Sequence, residues 1–235
     1  MVPTTGSERP WWTELDYYKC PNCTRESTEH RYCPTALSLV DLVTEFSSSL
    51  SWEEVDVRIE THARSYAKQT SLQTGVGSLV GLCMVTSGCP ILEKLKPMVV
   101  DHLPFATLGE TTYRVAAMYM LAQYFLQQSG GEPDWELTGL VNLYDDVRVV
   151  NRHFVNRLSA AASEDASLNA LVQLDMFASH VTHVVDAGML DELKPFFSAY
   201  LDGNGNGSQQ ADVDVNHLSL AGVSALSDFG PRAVG

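Results

Sequence analysis

The segment Cys20-Pro-Asn-Cys23-Thr-Arg-Glu-Ser-Thr-Glu-His30-Arg-Tyr-Cys33-Pro34 governs how the amino-terminal part of this chain is read. Two thiols two residues apart can grip one ion from a single tight turn, and an imidazole with a third thiol can close the loop around it. The donors Cys20, Cys23, His30 and Cys33 therefore predict a tetrahedral zinc site that folds a loop too polar to hold itself. Two other readings stay open. Cys20, Cys23 and Cys33 can carry an iron–sulfur cluster with Cys89 as fourth ligand, since three of these four cysteines precede proline, although the spacing matches no ferredoxin pattern. Alternatively they are free thiols or a redox pair.

Outward from this loop, residues 1–10 are polar and are expected to be disordered, and Leu15-Asp-Tyr17 suggests a short strand. Downstream, Leu37, Val40, Val43 and Phe46 have helical spacing. Val55-Asp-Val57-Arg-Ile59-Glu alternates strictly, as a strand with one buried face does. Paired with the early segment, it would make a small N-terminal β element beside the metal-binding loop. The rest reads as helices. Leu72, Val76, Leu79, Val80 and Cys83 form a stripe that ends at Gly88-Cys89-Pro90, with Gly77 and Gly81 offering a close approach on another face. Tyr113, Ala117, Met120, Leu121 and Tyr124 are expected to face inward on the next long helix. Pro133-Asp134 opens another, with Leu140, Tyr144, Val147, Phe154 and Leu158 in register, and Asp165 caps a last one carrying Leu171, Leu174, Ala178, Val181 and Val185. The fold class is thus mainly α: one helical, bundle-like domain over residues 11–201, a flexible linker over 202–217 and an apolar tail over 218–235.

Composition narrows the function. Twenty-nine acidic residues against fifteen basic ones leave a formal net charge of −14, which repels phosphate and argues against nucleic acid as a partner. The uncharged run from Gln69 to Leu92 is too rich in Gly, Ser and Thr for a transmembrane segment and suits a buried helix. With no export signal at the start and three cysteines in one cluster, a reduced, cytoplasmic setting is expected over a disulfide framework.

Other groupings carry weaker chemistry. His102, Glu110 and Arg114, with Gln73 or Lys68, would suit a small anion or a buried polar network, with Glu110 and Arg114 pairing along one helix. Cys89 and His102 would mark an enzyme pocket. His180, His183 and Asp186 share a helical face but lack any metalloenzyme spacing. Asp202-Gly-Asn204-Gly-Asn206-Gly207 resembles half of a calcium loop, yet Val213 stands where the bidentate carboxylate belongs, so a linker is expected. No serine-nucleophile elbow, phosphate-cradling loop or dinucleotide fingerprint occurs.

The combination Cys20-Pro-Asn-Cys23 … His30-Arg-Tyr-Cys33-Pro34, Thr86-Ser-Gly-Cys-Pro90 and His102-Leu-Pro-Phe105 resembles a family of bacterial proteins of unknown function, over about residues 17–197. The resemblance implies a bacterial origin and a single domain unit, and it transfers no catalytic residue. The expected function is a non-catalytic, metal-stabilised accessory or adaptor subunit of a bacterial protein assembly, meeting a protein partner through its helical face or through the tail at Leu218, Leu220, Val223, Leu226 and Phe229. An iron–sulfur electron-transfer protein and an enzyme with its pocket at Cys89 and His102 are the alternatives.

Overall fold

The computed structural model describes residues 9–161, 165–186 and 189–201. The chain is mainly helical. Two short helices, α1 (Pro34–Ser38) and α2 (Val40–Glu45), follow the cysteine loop; a hairpin of β1 (Glu54–Glu60) and β2 (Ser65–Ser71) leads into α3 (Leu72–Thr86). A 3-10 turn at Leu92–Leu95 and the short α4 (Pro97–Val100) precede α5 (Leu108–Gln128), α6 (Thr138–Ser159) and α7 (Ala166–Asp186). A second 3-10 segment, Met189–Phe197, ends in α8 (Ser198–Leu201).

The alternating segment does form a strand, but not with the partner expected of it. β1 pairs antiparallel with β2, Val57 opposite Lys68, so the sheet lies after the cysteine loop instead of at the amino terminus. The physical reason is loop closure: four residues separate the two strands, and Thr61 pins the turn by accepting from the backbone N–H groups of Ala63 (3.3 Å) and Arg64 (3.0 Å). The early segment makes a 3-10 turn at Trp11–Thr13 and a single bridge, Glu14 to Tyr32. That bridge matters for the site, because it clips the two ends of the cysteine loop together. Leu15 N donates to Arg31 O at 2.9 Å, and Cys33 N donates to Thr13 O at 2.9 Å.

α6 is the spine of the core. Leu140, Leu143, Tyr144, Val147, Val150, Phe154 and Leu158 repeat at helical spacing and are all buried. α7 packs along α6 and α3, contributing Ala170, Leu171, Ala178 and Val181. Gly77 and Gly81 of α3 face α7 as their spacing suggests: a methyl at Gly77 would meet Gln173 Oε1 at 3.6 Å, and one at Gly81 would meet Leu174 Cδ2 at 3.7 Å. Gly88, in the left-handed region at φ 87°, turns the chain out of α3 just before Cys89.

α5 reverses the expectation. Its apolar stripe faces outward, with Tyr113, Met120, Leu121 and Tyr124 between 40 and 53 % exposed, while Thr112, Val115 and Gln123 are buried. Polar anchors decide the orientation. Gln123 Oε1 accepts from Asp134 N at 2.9 Å, and the Tyr119 hydroxyl donates to Asp134 Oδ2 at 2.9 Å. These bonds lock the turn before α6 onto the side of α5 that carries the fewest large apolar groups. Turning the stripe inward would strand both acceptors away from their donors.

Candidate functional site

The loop at residues 20–33, the end of α3 and one side of α6 converge on a small cavity of about 30 Å³. Cys20, Cys23, Cys33 and Cys89 all stand on its wall, with Pro34, Pro90, Ile91, Val150 and Phe154 supplying the apolar remainder. Each cysteine arrives by a separate local device. Cys23 N donates to Cys20 O at 3.0 Å, the turn that puts the first pair on one side. Cys33 immediately precedes α1, whose Pro34 occupies the first helical position. Thr35 and Ser87 share a hydrogen bond of 2.9 Å that ties the start of α1 to the end of α3, and Gly88 then presents Cys89.

All five cysteines are free. Burial, and then the proximity of Cys33, Cys23 and Cys89, push the Cys20 thiol up to about 12. Burial likewise raises Cys33, opposed by the backbone amides of Ala36 and Thr35 and by Arg157. In the metal-free chain the Cys20 and Cys33 thiols are therefore protonated at neutral pH. Among the described residues, no group of three or more His, Cys, Asp or Glu side chains is placed so that it could hold a metal ion. The metal-binding character of the loop, part of the expected fold, rests on the donor set alone.

His30 is not on the cavity wall; its Nδ1 lies 3.3 Å from Arg25 Nη1. Cys89, sixty-six residues after Cys23 in the sequence, stands on the cavity wall with the other three cysteines.

Arg157 is the residue that sequence reasoning missed. It is 1 % exposed and in register with Val150 and Phe154 on the buried stripe of α6. Its guanidinium donates to the carbonyls of Trp12, Glu14 (2.7 Å) and Leu15 (3.4 Å), and so holds the start of the cysteine loop. Among the described residues it has no carboxylate partner. Burial depresses its affinity for a proton, and the Cys33 and Cys20 thiols oppose that shift. Its Nε, like that of Arg25 on the same cavity wall, is buried without an acceptor. The signal available in the sequence was a lone arginine on an otherwise apolar stripe.

The other groupings do not assemble. Glu110 is spent on a capping box: Thr107 N donates to Glu110 Oε2 at 2.7 Å, and Glu110 N donates to Thr107 Oγ1 at 3.2 Å. Arg114 turns to the carbonyls of Met98 (3.1 Å) and Asp101 instead of pairing with Glu110. Lys68 stands over the Phe105 ring, and Gln73 donates its backbone N–H to Ser51 O. His102 is half-buried beside Arg114 and absent from the wall that carries Cys89, so the two do not share that pocket. Burial lowers the affinity of His180 for a proton, while His183 is exposed. The calcium-like tract and the apolar tail lie outside the described residues.

Together these features define a helical domain whose amino-terminal loop is fastened to the core around a pocket of four thiols and two arginines. The chain belongs to the family described as a domain of unknown function (DUF6901), whose model matches residues 1–198. No curated protein and no solved structure is detectably similar to it. Among the described residues, no helix is long and apolar enough to cross a membrane.

Proposed function

We propose that the chain is a non-catalytic, metal-stabilised accessory or adaptor subunit of a bacterial protein assembly, and that its metal is a single zinc ion held by Cys20, Cys23, Cys33 and Cys89. The observation that carries this reading is the buried guanidinium of Arg157 against four thiols, with no carboxylate partner among the described residues. A divalent ion in four thiolates carries a net double negative charge. Arg157 and Arg25 compensate such a centre, and their unpartnered Nε–H groups suit thiolate acceptors. Without it, Arg157 is a buried cation with no counter-charge among its described neighbours.

Four thiolates leave no open position for substrate or water, which supports a structural role over a catalytic one. Zinc would draw the sulfurs to about 2.3 Å from itself and displace their protons, so that binding energy becomes folding energy for the loop. A protein partner would be met through the apolar segment at residues 218–235.

Elemental analysis of purified wild-type protein, Cys89→Ser and His30→Ala tests the assignment. Wild type and His30→Ala should each carry one zinc per chain, and Cys89→Ser should carry none. Retention in Cys89→Ser with loss in His30→Ala would return the fourth position to His30. Iron with visible absorption would transfer the protein to the electron-transfer class.

A further inference from the structure

We propose that α5 is a self-association face, through which two copies of this chain pair across a two-fold axis. The surface is a whole side of a 21-residue helix. Tyr113, Ala117, Met120 and Tyr124 follow one another at intervals of four, three and four residues, the seam spacing of a helix that packs against another helix. All four are exposed, and Leu121 (53 %) and Phe125 (58 %) widen the seam on one flank. Single exposed apolar residues are ordinary, but a continuous aromatic and aliphatic strip along three turns is not.

Charge selects the occupant. From Val115 to Gly131 the chain contains no charged residue, although its formal net charge is −14. Two such acidic bodies repel each other over most of their surfaces, and this uncharged strip is where two copies can approach with least penalty. A membrane surface is the poorer match, since an interfacial helix carries lysine and arginine on its polar face and α5 carries only Arg114.

Area agrees. Five large side chains, each about half exposed, offer roughly 500 Å² per copy, so the pair buries roughly 1,000 Å², the lower end of specific interfaces. An isologous pairing uses the same strip twice and needs no second patch. The inference extends the reading of the chain as an interaction subunit and is independent of the metal, so failure of either leaves the other standing.

Light scattering coupled to gel filtration, run on the full chain over a concentration series, tests the proposal. The wild type should show twice the 25.8 kDa chain mass. Leu121→Glu and Tyr124→Glu should weaken self-association by about 30-fold or more, with unchanged helical circular dichroism, because both positions are already in water. Met120→Arg serves as an independent variant should either glutamate compromise folding. A wild type that stays monomeric, or a dimer indifferent to all three substitutions, overturns the proposal. Removal of residues 202–235 should leave the dimer intact; a dimer appearing only after that removal would make the tail the occupant of the strip and overturn it equally.

Discussion

At the scale of single residues, Arg157 decides more than any cysteine. One side chain reaches three successive-loop carbonyls, of Trp12, Glu14 and Leu15, from a position that helical periodicity assigns to the core. Its value lies in geometry as well as charge, because its planar fork presents several donors in fixed directions at once. Arg157→Met keeps the volume but strands those carbonyls, and should destabilise the fold by about 3 kcal/mol in denaturant unfolding. Arg157→Lys should recover only part of that loss. If zinc occupies the four-thiol pocket, both variants should also release it to a competing chelator faster than wild type. An unchanged unfolding midpoint in Arg157→Met would refute the role given to this residue.

At the scale of elements, α5 and α6 are joined by a turn whose every bond is specific. Leu137 sits at φ 61° ahead of α6, and Asp134 Oδ2 takes both the Tyr119 hydroxyl and, at 2.6 Å, the N–H of Gly139. The amide of Gly139 holds the Asp134 carboxyl below its usual range, and burial, followed by the hydrogen bond to Asp134 and then its charge, pushes the Tyr119 phenol up to about 12. Gly139 is required for a steric reason: a methyl there would overlap the Tyr119 hydroxyl and meet Asp134 Oδ2 at 3.1 Å. Gly139→Ala should therefore cost about 1–3 kcal/mol despite the better helix propensity of alanine, read from thermal unfolding. Much of the helical pattern was legible beforehand, since Leu140, Tyr144, Val147, Phe154 and Leu158 announce α6 by spacing alone. The facing of α5 was not. Its apolar residues are spread around the helix more evenly than those of α6, and nothing local states that Gln123 and Tyr119 will be claimed by a turn eleven to fifteen residues on.

At the scale of the whole molecule, pH should act through buried imidazoles. Burial, reinforced by Arg114, holds His102 below its usual value near 6.5; burial, reinforced by His183, does the same for His180. Folding lowers the proton affinity of both, so each protonates more readily once unfolded. Just below pH 6.5 the unfolded chain therefore binds more protons, so this contribution to stability is complete above about pH 6.5 and declines as the pH falls below it. The melting temperature should drop between pH 7.5 and 5.5, and His102→Gln with His180→Gln should flatten that decline. A wild-type melting temperature constant across this interval would contradict the assignment. Asp134 adds a second loss only at lower pH, where its depressed carboxyl protonates.

The residue pattern by itself determined the helical class, the alternating strand at Val55–Ile59 and the density of thiols at Cys20, Cys23 and Cys33, because periodicity and donor spacing are local properties of a chain. Tertiary structure decided which strand pairs with β1, which side of α5 meets water, and that Cys89 and not His30 stands with the other three thiols around one cavity. Those choices depend on groups distant in sequence being brought within a few ångströms. Gly88 turns α3 toward the loop, Thr35 and Ser87 bind the two together, and Arg157 reaches across from α6. Loop closure, hydrogen-bond satisfaction and charge compensation are settled only once the core is packed, and the motif spacing carries no trace of them.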